Sequence, residues 1–255
     1  MSIREIDAAR LTEAVARLYV DACLRLPEHV KDKLYAFGNP YIIENFEKNG
    51  IIPLCQDTGM AAVYLEIGQD VHLTGSIPDA VNEGVRQAVK AGYLRSSIVA
   101  DPIRRTNTGD NTPAFIYTDI VPGDTVKVTV APRGFGCENK ARISMLAPAD
   151  GLEGVKSFVL ETAKLAVPDA CPPVMIGVGI GGNFDRVAYL SKKAVLRPEP
   201  NADPFYAALE QELYDQVKKF AIGVNIIAAP THIAGLPCAV SIGCHSVRYA
   251  SEVLS

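Results

Sequence analysis

Residues 53–59 read Pro-Leu-Cys-Gln-Asp-Thr-Gly, between an apolar stretch and the strand-like run 60–67. Cys55 is followed directly by an amide, a carboxylate and a hydroxyl, in a turn bracketed by Pro53 and Gly59. A cysteine that only fills a core needs no such neighbours, whereas a metal site that also transfers protons does. The segment therefore predicts a functional loop that presents a thiolate ligand beside groups able to move a proton.

Length and composition are those of an ordinary globular protein. The 255 residues suffice for one large domain or two small ones, and 48% of them are hydrophobic. The formal net charge of -4 gives no support to nucleic-acid binding. No apolar run reaches the ~20 residues of a membrane span, and residues 1–9 lack the apolar core of a signal peptide. We therefore predict a cytoplasmic protein.

Hydrophobic periodicity predicts an α/β or α+β fold in a single domain over residues 1–255. Strands and helices mix without a regular βα repeat, so we expect a mixed β-sheet core flanked by helices, with a helical N-terminus. The Pro-Gly-Asp sequence at 122–124 predicts a β-hairpin. Predicted helices cover about 3–49 with a break at Pro27, 78–94, 151–167, 184–194 and 204–220; predicted strands cover 60–67, 114–121, 125–131, 174–180 and, as the last, 239–242.

Six cysteines occur, at positions 23, 55, 137, 171, 238 and 244. Disulfides are rare in a cytoplasmic chain, and the absence of a C-x-x-C pair argues against a finger-type zinc site. Cys55, Cys171 and Cys244 each lie at the end of an apolar element, where a rigid scaffold could aim them into one site. Spacing alone leaves open, and favours, the alternative that these three are small core residues.

The stretch 177–182, GVGIGG, formally matches the dinucleotide-binding pattern G-x-G-x-x-G, with Glu199 at a suitable distance beyond it. The expected βαβ units do not follow, which favours a tight strand-to-helix turn or an anion site made of backbone N–H groups. A nicotinamide-dependent oxidoreductase therefore remains the alternative from another enzyme class.

Two polar loops contain the residue types of a carboxylate-binding site. Residues 133–140 read RGFGCENK, where glycines allow close approach of a ligand and the basic and amide side chains could orient carboxylates. Residues 107–111 read NTGDN, and a solvated surface loop explains either stretch equally well. Arg95 is predicted to end a helix, where the helix dipole alone accounts for it. His232, among apolar neighbours, is expected to be a hydrogen-bonded core residue.

Together, these motifs resemble the class I, iron–sulfur fumarate hydratase and L-tartrate dehydratase family over nearly the whole chain. They occur in the family's order. The motifs are residues 55–59 (CQDTG), 107–109 (NTG), 134–139 (GFGCEN), 171–173 (CPP) with 177–182, and 230–232 (PTH) leading to Cys244.

The resemblance implies a role for each matching residue. Cys55, Cys171 and Cys244 would hold a [4Fe-4S] cluster whose fourth iron has no protein ligand and acts on the substrate as a Lewis acid. Catalytic roles in proton transfer are implied for Asp57 and His232. Substrate-binding roles are implied for Gln56, Arg95, Gly134, Asn139 and Lys140.

The implied reaction is the reversible hydration of fumarate to L-malate. L-tartrate dehydration, or the same chemistry on a methylated C4 diacid, is the alternative within the family. Cys137 stands where many fumarases of this class carry serine, which leaves the substrate open and makes this thiol a conceivable replacement ligand. The following Glu138 and Asn139 favour the fumarase-like branch.

Single-chain members of the family carry a further C-terminal domain, whereas this sequence ends at Ser255, soon after Cys244. The resemblance therefore implies that the chain is the α subunit of a two-subunit enzyme. A separate β subunit would complete the site for a C4 dicarboxylate, in an α2β2-type assembly. A catalytically silent binding or assembly module is the remaining alternative.

Overall fold

The computed structural model describes residues 3–255 and divides the chain into two compact units. The first contains the N-terminal segment up to Pro27 together with Ile43–Gly134 and Arg248–Ser255. The second contains Glu28–Ile42 and Phe135–Val247. The α/β class with mixed sheets flanked by helices is confirmed, whereas a single domain over the whole chain stays a prediction.

The helices and strands are numbered in chain order. Helices α1 to α8 are Ala8–Leu24, Glu28–Phe37, Tyr41–Asn45, Ile77–Ala91, Phe135–Glu138, Gly151–Ala166, Phe184–Leu196 and Pro204–Val217. Strands β1 to β10 are Arg4–Asp7, Met60–Gly68, Val71–Thr74, Phe115–Val121, Val126–Arg133, Arg142–Leu146, Val174–Gly182, Ala221–Thr231, Leu236–Gly243 and Ala250–Leu254. Short 3₁₀ turns occupy Glu47–Asn49 and Pro148–Asp150.

The first unit is built on a four-stranded mixed sheet in the order β10-β5-β2-β4. Helices α1 and α4 pack against each other, and α1 also packs on β5 and β10, so that apolar side chains of both helices meet those of the sheet. The Asp7 carboxylate caps α1 by accepting from the Ala9 N–H at 2.8 Å. Ser76 caps α4, which begins with a proline in its first turn.

Two expectations about the first unit are wrong. Strands β4 and β5 do not form a hairpin, because β2 lies between them, parallel to β4 and antiparallel to β5. The N-terminus is not helical from its start, because Arg4–Asp7 pairs in parallel with Val71–Thr74. Residues typical of a turn show that the chain changes direction there, but they do not show which strands pair with each other.

The second unit is built on a four-stranded sheet in the order β6-β9-β7-β8, in which only β7 and β8 run parallel. Its core lies between this sheet and helices α6 and α8. The sequence predicted β7 and a shorter β9, but it missed β6, and it missed β8 although β8 has eleven residues. In residues 3–255 no helix is both long and apolar enough to cross a membrane.

The glycines of the 177–182 stretch serve packing between β7 and α7. A β-carbon at Gly177 would lie 2.3 Å from the Ser191 carbonyl oxygen, and one at Gly179 would lie 2.2 Å from that of Val187. Both contacted carbonyls belong to α7, so this helix can approach the strand only where side chains are absent. The glycine pattern on which the dinucleotide-binding interpretation rested, with Glu199 as its acidic residue, is thus explained by helix–strand packing.

Substitution of Gly177 by alanine is expected to lower the free energy of unfolding by about 3 kcal/mol, because the new methyl group overlaps the backbone of α7. Urea denaturation followed by circular dichroism measures this loss. Gly235→Ala is the matched control, since its nearest neighbouring atom lies 3.9 Å away, and it should change stability by less than about 0.5 kcal/mol. Equal stability of the two variants would contradict the packing role.

Candidate functional site

The loop 54–59 of the first unit is tied to α1. The Leu54 N–H donates to the Cys23 carbonyl oxygen at 2.8 Å, and the Tyr19 hydroxyl donates to the Gly59 carbonyl oxygen at 2.7 Å. Gly59 has φ +76°, and a β-carbon there would lie 2.8 Å from the backbone of Arg133. Only glycine satisfies both conditions, so the turn after the Cys55–Asp57 segment has one fixed course.

Asp57 and Gly134 meet in this unit. The Asp57 Oδ1 accepts from the Gly59 N–H at 3.0 Å, and a β-carbon at Gly134 would lie 3.2 Å from Oδ2. The bare backbone of Gly134 therefore leaves room beside the carboxylate. Cys55 and Asp57 are half-buried and Gln56 is exposed, so the three predicted site residues of this loop are at least partly accessible.

Arg95 is anchored through its backbone rather than through its side chain. Its N–H donates to Thr58 Oγ1 at 2.9 Å, and its carbonyl oxygen accepts from Asn111 Nδ2 at 2.8 Å. The Arg95 side chain is exposed, and helix α4 ends at Ala91, so the helix-dipole explanation of Arg95 is wrong. Asn111, fully buried with φ +59°, gives the 107–111 loop a structural role.

In the second unit, the loops of Cys171 and Cys244 meet. Cys171 precedes β7 and Cys244 follows β9, and the antiparallel pairing of Met175 with Gly243 brings both to one edge of the sheet. The N–H of His245 donates to the Cys171 carbonyl oxygen at 3.3 Å, and His245 Nδ1 lies 3.0 Å from the same oxygen. Two of the three predicted cluster ligands are thus on hydrogen-bonded loops.

The backbone at Cys171 is held in an unusual conformation. Cys171 has φ +52°, in the left-handed region that residues with a side chain rarely adopt, and its thiol is exposed. Such strain persists only where the surroundings enforce it, and it concentrates at functional sites. The Cys244 Sγ, half-buried, lies 2.9 Å from the Ser246 hydroxyl oxygen.

Residues 135–140 pack against the Cys171 loop. Cys137 Sγ donates to the Ala170 carbonyl oxygen at 3.4 Å, and Lys140 forms an ion pair with Asp169. The backbone N–H of Asn139 continues the short helix α5 by donating to Phe135. The ion pair engages the Lys140 ammonium, so Lys140 is less available to a substrate than the sequence suggested.

His232 does not lie with these loops within the second unit. It occupies an exposed turn after β8, where its Nδ1 accepts from the Ala234 N–H at 3.1 Å, so the prediction of a core histidine is wrong. Because β8 runs parallel to β7, His232 follows the edge of the sheet opposite to the one that Cys171 precedes. At ~3.3 Å per residue, the nine residues of β7 separate those edges by roughly 25–30 Å.

The cysteines fall into two classes. Cys23 and Cys238 are buried in the cores of their units, whereas Cys55, Cys137, Cys171 and Cys244 are half-buried or exposed. Burial raises the pKa of the Cys23 thiol to about 11, although the neighbouring Arg248 lowers it, and burial raises the pKa of Cys238 to about 12. None of Cys55, Cys171 and Cys244 is therefore the small buried core residue that spacing alone favoured.

Neither unit holds a complete metal site by itself. Among residues 3–255, no three His, Cys, Asp or Glu side chains of one unit lie close enough together to bind a metal ion. What the second unit does bring together is three segments, 135–140, 169–173 and 244–247, at one sheet edge.

A family profile described as fumarate hydratase (Fumerase) matches residues 12–252. The chain belongs to the fumarate hydratase family. An Escherichia coli UTI89 protein named L(+)-tartrate dehydratase subunit alpha is 32% identical, over 94% of this chain and 89% of its own length. A Methanocaldococcus jannaschii protein that carries the same name provisionally is 35% identical, over 94% of this chain and 96% of its own. The K12 strain of Escherichia coli has an equivalent protein, 31% identical over the same shares as the UTI89 protein.

Membership of the fumarate hydratase family makes the chain part of a hydro-lyase, an enzyme that adds or removes water.

Several supporting residues of the candidate site were not predicted from the sequence: Tyr19, Cys23, Asp169, His245 and Arg248. Each acts through a backbone carbonyl or an ion pair, and such a contact leaves no pattern in the sequence around it. Arg248, in the run Val-Arg-Tyr-Ala, offered the one signal, a charge among apolar residues.

We expect iodoacetamide at pH 8 to separate the two classes of cysteine in the reduced, cluster-free chain. With pKa values of about 11 and about 12, Cys23 and Cys238 are thiolates to about one part in a thousand and one in ten thousand. Mass spectrometry should find the exposed Cys171 modified at least about a hundredfold faster than either. In denaturant all six should react alike; modification of Cys238 at the rate of Cys171 in the native chain would contradict the assignment.

Proposed function

We propose that the chain is the α subunit of a two-subunit [4Fe-4S] hydro-lyase that converts fumarate and L-malate into one another. The observation that carries the proposal is the meeting of the Cys171 and Cys244 loops through His245, in a chain of the fumarate hydratase family. Neither cysteine needs such a junction if it only fills a core.

The donor set fits an iron–sulfur cluster. Cys55, Cys171 and Cys244 are the thiols that lie on loops at strand or turn ends and are reachable from outside, and soft thiolates are the ligands that such clusters require. When bound, a cluster with three thiolate ligands supplies one open iron as a Lewis acid for the hydroxyl and carboxylate of the substrate. Cys137 donates to the Ala170 carbonyl oxygen, which supports a structural role for this thiol in the loop rather than a role as replacement ligand.

Proton transfer is assigned to Asp57. Its carboxylate follows Cys55 by two residues, is half-buried, and faces the bare backbone of Gly134. A carboxylate in this position can take or give the proton that accompanies the hydroxyl group. A share for His232 in this step remains part of the resemblance, and the geometry of the second unit lends it no support.

Recognition of the two carboxylates is assigned to donors around the loops. The exposed guanidinium of Arg95 offers a planar fork of donors, on a backbone fixed to Thr58. Gln56 offers an exposed amide beside Asp57, and Asn139 another beside the Cys171 loop. Lys140 contributes mainly by holding its loop to Asp169.

L(+)-tartrate is the second candidate substrate. The relatives quoted above carry that substrate in their names and cover nearly the whole chain. Glu138 and Asn139 favour the fumarase-like branch, and Lys192 forms an ion pair with Glu138 that keeps this part of the loop in place. Fumarate is therefore our first choice.

The names of the relatives also support a partner subunit. They are alpha subunits, which implies a β subunit, and we propose that it completes the site in an α2β2-type assembly in the cytoplasm. The remaining base and cationic groups for the diacid would then lie on the β subunit. A catalytically silent module is disfavoured by membership of an enzyme family.

Anaerobic reconstitution of the chain with iron, sulfide and the β subunit of the same organism tests the reaction. We expect hydration of fumarate with kcat/KM at least about tenfold above the value for dehydration of L-tartrate, which corresponds to ~1.4 kcal/mol of transition-state discrimination. The chain without the β subunit should turn over neither substrate measurably. The reverse preference would assign the enzyme to tartrate, and full activity of the chain alone would refute the two-subunit proposal.

A further inference from the structure

Three consecutive carbonyl oxygens of the first unit accept hydrogen bonds from side chains distant in sequence. Arg248 Nη2 donates to the oxygen of Asp57 at 2.6 Å, Cys23 Sγ to that of Thr58 at 3.8 Å, and Tyr19 Oη to that of Gly59 at 2.7 Å. The donors are 5%, 1% and 0% exposed respectively. Together they fix the backbone that carries the predicted proton-transfer carboxylate.

Arg248 is the unusual member of this set. Cys23 and Tyr19 are ordinary core residues of α1, whereas an arginine is almost never this buried unless it has partners. Desolvation of a guanidinium is costly, and a neutral donor would also satisfy a carbonyl oxygen, although through a weaker hydrogen bond. The charge brings a stronger, shorter hydrogen bond and a rigid geometry of donors, which also reaches the Cys23 sulfur.

The hydrogen bond from Arg248 to the Asp57 carbonyl oxygen also affects the side chains of neighbouring residues. The peptide plane is rigid, so the direction of a carbonyl group constrains the direction in which the adjoining residue projects its side chain. Asp57 Oδ1 is bound in turn by the Gly59 N–H, and Cys55 lies only two residues earlier. A backbone held at Asp57 therefore restricts both the carboxylate and the neighbouring thiol.

We propose that Arg248 is a positioning residue of the candidate site, which acts through the Asp57 carbonyl oxygen and does not itself touch the substrate. Its structural effect, the immobilisation of loop 54–59, depends only on the contacts within the first unit. Its effect on turnover rests on the proposed function. The two effects can be measured separately.

Amide hydrogen exchange of the reduced, cluster-free full chain tests the structural effect without any activity. In Arg248→Met, peptides that cover 54–59 should exchange at least about tenfold faster than in the native chain, since a charged hydrogen bond is lost. Arg248→Lys should show an intermediate rate. Arg17→Met is the matched control, because Arg17 is a largely exposed arginine of the same unit that pairs with Glu252, and it should leave these peptides unchanged.

Two exchange results would overturn the proposal. One is native protection of 54–59 in Arg248→Met, which would show that the contact does not hold the loop. The other is an equal rise in exchange over α1, α4 and the first sheet, which would give Arg248 a general part in the core. Peptides of β7 in the second unit should keep their native rate in every variant and thereby report that the chain is folded.

Kinetics of the cluster-loaded enzyme with its β subunit test the effect on turnover. A positioning role predicts that Arg248→Met loses at least about tenfold in kcat with little change in KM, and that the conservative variant Arg248→Lys retains part of the activity. A rise in KM at unchanged kcat would place Arg248 in substrate binding and overturn the proposal. If the native enzyme hydrates no diacid, the proposed function fails, while the exchange result still decides the role of Arg248.

Discussion

Hydrogen bonds to the carbonyl oxygens of residues 57–59 hold the loop that the first unit contributes to the proposed site. Loops that connect secondary structure are commonly solvated and mobile, and a loop that carries catalytic groups must be neither. Here Tyr19 and Cys23 of α1 and the side chain of Arg248 supply donors to successive carbonyls. The backbone that carries the Cys55 thiol and the Asp57 carboxylate, the proposed cluster ligand and proton-transfer group, is thus held by three side-chain donors. Preorganisation of this kind favours electrostatic and proton-transfer catalysis.

In the second unit, the direction of the strands determines which predicted site residues lie together. Cys171 and Cys244 are far apart in sequence, yet one precedes β7 and the other follows its antiparallel neighbour β9, so both fall at the same edge. His245 then joins the two loops through the Cys171 carbonyl oxygen. The same topology carries His232 to the other edge, because that residue follows β8, which is parallel to β7. The strand directions of this sheet therefore explain why the Cys171 and Cys244 loops meet at one edge while His232 lies at the opposite edge.

The sequence predicted the features that local patterns encode. Helices α4, α6, α7 and α8 were correct to within a few residues, because each has an apolar stripe at helical spacing and three of them have a cap or an N-terminal proline. The edge strands β6 and β10 were missed, since a short half-exposed strand has little periodicity. The pairing of the strands could not be predicted either, because nothing in residues 114–131 shows that β2 lies between β4 and β5. The same limit applies at the site, where the thiol-bearing loops were recognisable but the burial of Cys23 and Arg248 behind one of them depends on contacts between distant segments.

We propose that Cys55, Cys171 and Cys244 together hold one iron–sulfur cluster. Iron and acid-labile sulfide, measured on the anaerobically reconstituted chain with each of these residues replaced by serine, test it most directly. We expect about four irons and four sulfides per native chain, the same content in the control Cys238→Ala, and loss of most of both in each of the three variants. Native iron and sulfide content in any one of the three serine variants would contradict the claim.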